Sequence, residues 1–254
     1  MSEWTPTVRD GRRTAFRGAG CVLAAFAILP SLAFIVISLV TENPVEISHR
    51  FHYIGGFAGL SLIGVFSALF VFQPGHRAYF HAIVLQAFSW LAAGLMGGDL
   101  ISGFWITGPI GLVILVALHP EPRTLARLPG RVSVAMLTYS MLVAVPVWIY
   151  AVTMSELQHG PATDPHVAAH HWSGVAGSAL AILGAAIAAS VRGEGWVITA
   201  EIASIASVLW GLAGLVFSDL PGAPGSGWSW VAIAAGIGFW LLTQVEASRE
   251  RTSS

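Results

Sequence analysis

Of nine histidines in 254 residues, six collect in two short stretches. The first stretch, EISHRFHYIGGFAGLSLIG (46–64), carries His49 and His52. The second carries His159, His166, His170 and His171, the last three within DPHVAAHHWSGVAGSALAILG (164–184). Each passes from a polar loop into an apolar run rich in small residues. Aligned at Gly59 and Gly177, the two stretches set His52 on His170, Glu46 on Asp164 and Gly56 on Gly174. A helical turn places His166 and His170, four apart, on one face, and does the same for His49 and His52, three apart. Imidazole and carboxylate together are ligands for zinc, copper or iron. A histidine–aspartate pair also relays protons near neutral pH or acts as a general base.

Two further acids belong with these histidines. Asp99 and Asp219 close later apolar runs at the depth where His52 and His170 open theirs. The expected site is therefore His52, His170, Asp99 and Asp219, with His166 and His49 beside them. A second pair, His81 and Glu201, occupies matching places about one turn inside two other runs. Ionisable groups at such depth are costly and often functional, and this pair suits a proton path. The plainer expectation for every one of these residues is a polar side chain resting in water at the headgroup level.

The elements that must position these residues follow from composition. Hydrophobic residues make up 55% of the chain and charged residues 10%, where soluble domains carry about 25% charged residues. Apolar runs occupy 19–41, 51–72, 78–97, 100–118, 131–154, 167–191, 196–217 and 226–245. Each is near the ~20 residues that a helix needs to cross a bilayer. The fold expected is an all-α integral membrane protein of eight transmembrane helices. The first run is too long for a signal h-region and is read as a retained helix. Arginine gives the orientation. Arg9, Arg12, Arg13, Arg17, Arg77, Arg123, Arg127, Arg131, Arg192, Arg249 and Arg251 fall on one side and Arg50 on the other. Basic residues resist translocation, so both termini are expected in the cytoplasm, in a plasma (inner) membrane. The histidine sites then face outward, with Glu42, Glu46, Glu156 and Asp164 on the same side.

The paired stretches extend into a longer duplication. Pro30 recurs as Pro146, 116 residues on, and Trp90, Asp99 and Leu100 recur as Trp210, Asp219 and Leu220, 120 residues on. Ser102-Gly103-Phe104 recurs as Ser226-Gly227-Trp228, 124 residues on. The segments expected are a cytoplasmic N-terminal segment (1–18), a first four-helix repeat (19–118), a cytoplasmic linker (119–130), a second repeat (131–245) and a solvated tail (246–254). Four helices per repeat is an even number, so the repeats are parallel and related by a pseudo-two-fold along the membrane normal. Gly56, Gly59, Gly64, Gly174, Gly177 and Gly184 give runs 51–72 and 167–191 small faces. Small faces let helices approach closely in lipid, which marks these two runs as the centre of the bundle. Pro30, Pro109 and Pro146 are expected to kink their helices.

Several chemistries are excluded. A net charge of −1 leaves no nucleic-acid footprint. A single cysteine, Cys21, excludes an internal disulfide, and the absence of lysine excludes a Schiff base. The segment AHHWSGVAGSALA (169–181) resembles the histidine-bearing last helix of rhomboid proteases, but their Gly-x-Ser-Gly nucleophile is missing from the sequence. The two four-helix halves resemble the plan of haem A synthase, but runs 100–118 and 226–245 carry no histidine at membrane depth, so haem fits less well than zinc or copper. The leading expectation is a binding or transport protein whose outer His/Asp site takes a cation, a metal or a proton-coupled solute. A membrane enzyme using the same histidines, metal-dependent or haem/quinone-linked, is the second. An accessory subunit of a larger membrane complex is the third, and the assemblies expected are a homo-oligomer or such a complex in the lipid bilayer.

Overall fold

The computed structural model describes residues 8–98, 104–125 and 131–253. Every regular element among them is helical. The order is α1 (Val8–Val40), α2 (Pro44–Ser48), a π-helical turn (His52–Gly56) leading into α3 (Phe57–Phe72), α4 (Arg77–Met96) and α5 (Phe104–Leu118). Then follow a single 3-10 turn (Pro122–Thr124), α6 (Val134–Gln158), α7 (Pro165–Ala168), α8 (His171–Ser190), α9 (Trp196–Val216) and α10 (Gly225–Ser253).

Seven of these are long and apolar enough to cross a membrane: α1, the π turn with α3, α4, α6, α8, α9 and α10. In lipid the backbone must satisfy its own hydrogen bonds, and an unbroken helix does so. The eighth expected span is shorter. α5 has 15 residues, about 22 Å at 1.5 Å per residue, against roughly 30 Å of hydrocarbon. The start of the run expected at 100–118, and Asp99 with it, lies outside the described residues.

Both end helices outrun their apolar runs. α1 begins at Val8, within the polar stretch 1–18. The stretch after Val245 continues α10, and Glu246 and Glu250 tie it to the bundle while Ser248, Arg249, Arg251 and Thr252 are exposed. Glu246 is 7% exposed. Its carboxylate accepts from Arg192 at 3.0 Å, and Arg192 also reaches Glu250 at 3.2 Å. The same guanidinium lies 4.9 Å over the ring of Trp196. The proline positions are as expected, with Pro30, Pro109 and Pro146 inside α1, α5 and α6.

The centre of the bundle is α8. It is 72% buried over its span, and the π turn with α3 is 56% buried, while the other five spans lie between 17% and 44%. The cause is residue size. A Cβ on Gly59 would come within 2.5 Å of Ser178, backbone included, and one on Gly177 would come within 2.9 Å of Trp90. Hydrogen at those two positions lets α3 and α4 close on α8. Ser178 then donates its hydroxyl across the contact to the carbonyl of Gly56. Small residues and interhelical hydrogen bonds are what hold helices together where lipid supplies no hydrophobic drive. Large apolar side chains such as Val22, Phe26, Leu29, Leu142 and Trp148 point outward.

Neighbours repeat in the two halves. In the first, α3 packs on α1 and α4, and α5 packs on α4 and α1. In the second, α8 packs on α6 and α9, and α10 packs on α9 and α6. Between the halves, α4 runs along α8 and α3 touches it.

Candidate metal centre

Local sequence stops two helices short at one end of the bundle. α2 ends at Ser48, and the His49 N–H closes its last turn on the Glu46 carbonyl at 3.1 Å. The chain then widens into the π turn His52–Gly56. The Gly55-Gly56 pair suits that turn, because a side chain at Gly55 would press on Phe51 and Trp210. Such turns are rare within helices and recur at functional sites. On the other half, Asp164 caps α7 with Pro165 at its first position. This short helix stops because His170 adopts a left-handed backbone, φ +59°, and α8 restarts at His171. The break defeats the four-apart spacing between His166 and His170. It swings the ring of His171 against the other two segments.

The result is a cluster of four imidazoles, two from each half. Ring centres are separated by 4.4 Å (His49–His166), 4.6 Å (His49–His171), 4.8 Å (His52–His166) and 5.3 Å (His52–His171). The remaining pairs, His49–His52 and His166–His171, are both 6.2 Å apart. His49, His52 and His166 are 4%, 2% and 8% exposed. Trp172 walls the cluster, 4.8 Å from His52 and 5.0 Å from His166. Tyr53 closes the other side, 5.8 Å from His49 and 5.4 Å from His171. The turn between α9 and α10 seals the floor. Gly222 (φ +78°) lies so near His52 that a Cβ there would come within 2.7 Å of its ring, and Tyr150 donates to the Gly222 carbonyl at 2.7 Å.

Two carboxylates reach this cluster through hydrogen bonds. Asp164 Oδ1 accepts from the His166 N–H at 2.9 Å and from its ring Nδ1 at 3.0 Å. With the proton on Nδ1, the lone pair of His166 is on Nε2. Burial raises the pKa of Asp164, but the hydrogen bonds from the His166 backbone and ring, the His166 charge and Trp172 outweigh it, so the carboxyl titrates below its ordinary value. Glu46 accepts from the Tyr53 hydroxyl at 2.7 Å. Several cluster nitrogens have no such partner. Among the described residues, no hydrogen bond meets either ring nitrogen of His52, Nε2 of His166 or Nδ1 of His171, though all are buried. Buried polar atoms without partners are costly. As the side chains stand, no group of three or more histidine, cysteine, aspartate or glutamate residues among those described is arranged to hold a metal ion.

Of the expected site, the structure places His49, His52 and His166 together. His170 is next to the cluster at the helix break. Asp99 is outside the described residues. Asp219 is exposed on the turn after α9 and accepts from Ser218 at 3.3 Å. Among the described residues it has no ion pair or hydrogen bond to a histidine. Nor does any hydrogen bond or ion pair join His81 to Glu201. Sequence reasoning did not put His171 among the ligands and did not give Asp164 its role. The Asp164 signal was present as the dipeptide Asp-Pro ahead of His166. An aspartate cap before proline at the first helical position aims its carboxylate two residues on.

No family model, curated protein or solved structure matches the chain. Its class rests on its own features: an all-helical chain, seven helices long and apolar enough to cross a membrane, and four imidazoles from two segments packed at one end.

Proposed function

We propose that this is a multi-pass membrane protein that binds one late transition-metal ion, zinc or copper, at His49, His52, His166 and His171. The observation that carries the reading is the set of six ring separations, 4.4–6.2 Å. A tetrahedral ion with nitrogen ligands at about 2.0–2.1 Å holds its four ring centres roughly 5 Å apart. The observed separations bracket that value. With His166 held by Asp164, rotating the rings of His49, His52 and His171 about their own bonds to Cβ turns nitrogens inward while moving the centres little, so loading the site needs side-chain rotation and no helix movement. The unpartnered nitrogens of His52, His166 and His171 gain the partner that burial demands. Asp164 holds the His166 ring through Nδ1, the arrangement by which a carboxylate fixes a metal-binding imidazole.

Four protein ligands fill a tetrahedral ion and leave no open position for a substrate, which favours binding or transfer of the metal over hydrolysis. Two pairs are 6.2 Å apart, but the other two rings crowd each of them, which leaves no slot for a porphyrin and disfavours haem. The eight-helix count with short α5, the parallel duplication and the cytoplasmic termini belong to the same proposal. The matching helix neighbours in the two halves support the duplication, and the arginine distribution supports the orientation.

The test is metal analysis of detergent-purified protein, stripped with chelator and reloaded. One zinc or copper per chain is expected. His52→Ala and His171→Ala should each abolish stoichiometric binding, and His159→Ala should leave it intact. Wild-type protein that takes up no ion under these conditions, or loses none in the two variants, refutes the site.

A further inference from the structure

A cavity of about 340 Å³ lies at the opposite end of α1 from the histidines, where α1, the α3–α4 turn and the end of α5 meet. Its base is built firmly. Phe16 is 1% exposed, and His119 packs between Phe16, edge-on at 5.1 Å, and Phe70, stacked at 5.3 Å. His119 is fixed at both nitrogens, accepting from the Glu121 N–H at 3.1 Å and donating to the Pro74 carbonyl at 3.3 Å. Arg12 is also committed, donating to the Ala117 carbonyl at 2.8 Å. Arg13 and Arg17 also line the cavity, one helical turn apart on α1. Neither has an ion pair or hydrogen bond among the described residues. Two like charges at this spacing repel each other, and they are held beside a cavity with one acid, Glu121, in its wall.

We propose that this cavity binds a phosphate group, that of a phospholipid headgroup, between the guanidinium groups of Arg13 and Arg17. Arginine forks match phosphate oxygens in geometry and charge. The cavity is large enough for one headgroup and lies at the mouth of the first membrane-spanning helix, where a lipid phosphate sits. The proposal rests on the membrane-spanning reading and is independent of the metal.

The experiment is thermal unfolding of delipidated protein in detergent, with short-chain phosphatidylglycerol, inorganic phosphate or diacylglycerol added. Phosphatidylglycerol should raise the melting temperature, and diacylglycerol, which lacks the phosphate, should not. Arg13→Gln/Arg17→Gln should weaken the phosphatidylglycerol effect by about tenfold or more in concentration, the loss of a charge-assisted contact. Arg251→Gln should preserve it. Both cavity arginines are exposed, so the double variant retains its fold, and an unchanged melting temperature without lipid verifies this. An equal response to inorganic phosphate overturns the lipid source. An equal response of wild type and double variant, or none in either, overturns the site. Resistance of the protein to carbonate extraction from membranes reports separately on the membrane-spanning reading.

Discussion

Asp164→Asn separates the two tasks given to Asp164. The aspartate caps α7 through the His166 N–H and holds the His166 ring through Nδ1. Asparagine caps a helix about as well as aspartate, and its amide oxygen can still accept from Nδ1. What it lacks is the negative charge. The helix should therefore survive the change, while the ring loses the charge that fixes its proton on Nδ1 and strengthens Nε2 as a donor to a metal. Loss of such an outer partner costs about 10–100-fold in metal affinity. The asparagine keeps the hydrogen bond and the Asp164 side chain is 32% exposed, so the low end applies: about tenfold, or 1.4 kcal/mol. Asp164→Ala removes both tasks and should add about 1 kcal/mol of lost fold stability through the cap. The assay is competition for zinc against a chelator of known affinity, run beside thermal unfolding of the metal-free protein. Metal affinity unchanged in Asp164→Asn, or a melting temperature lowered as far as in Asp164→Ala, would refute the reasoning. The carboxylate also contributes to stability. Its pKa lies below the ordinary value, so its share is present above about pH 4 and lost as pH falls through the folded value.

Gly59→Val should drive α3 from α8, because its Cβ would meet Ser178 backbone within 2.5 Å. The expected cost is about 1–3 kcal/mol, and denaturant unfolding with metal analysis should show lost stability and lost metal together. Burial lowers the pKa of His119, and Arg12 lowers it further against the hydrogen bond to the Pro74 carbonyl and the Glu121 charge. The unfolded chain therefore binds a proton there that the folded chain excludes. Stability should fall as pH drops below about 6.5, and His119→Gln should flatten that slope in unfolding measured from pH 5 to 8. Arg192→Ala should leave Glu246 with Arg249 as its ion-pair partner at 3.0 Å, so the loss is that of one charge-assisted hydrogen bond, about 1.5–3 kcal/mol, visible as early loss of α10 in hydrogen exchange. Arg192→Lys keeps the charge and should recover part of it.

The sequence alone determined the material of the fold. Runs of about twenty apolar residues form helices in lipid, because a helix satisfies all its backbone groups within one segment. Glycines at turn spacing in 51–72 and 167–191 also marked the two most buried spans, because the absence of a Cβ has the same effect in any helix. Histidine content and its two stretches were legible for the same reason. What the tertiary structure decided was which histidines meet. The spacing rule assumes one continuous helix, and the left-handed backbone at His170 and the π turn at His52 break that continuity. His171 turns toward the cluster as a consequence, and the carboxylate that holds a ring is Asp164, two residues away along the chain, with Asp219 left exposed. Residue spacing specifies a face only while the helix lasts. Beyond its end, the meeting of side chains is set by how α3 and α8 pack, and that depends on contacts more than a hundred residues apart, such as Ser178 with Gly56.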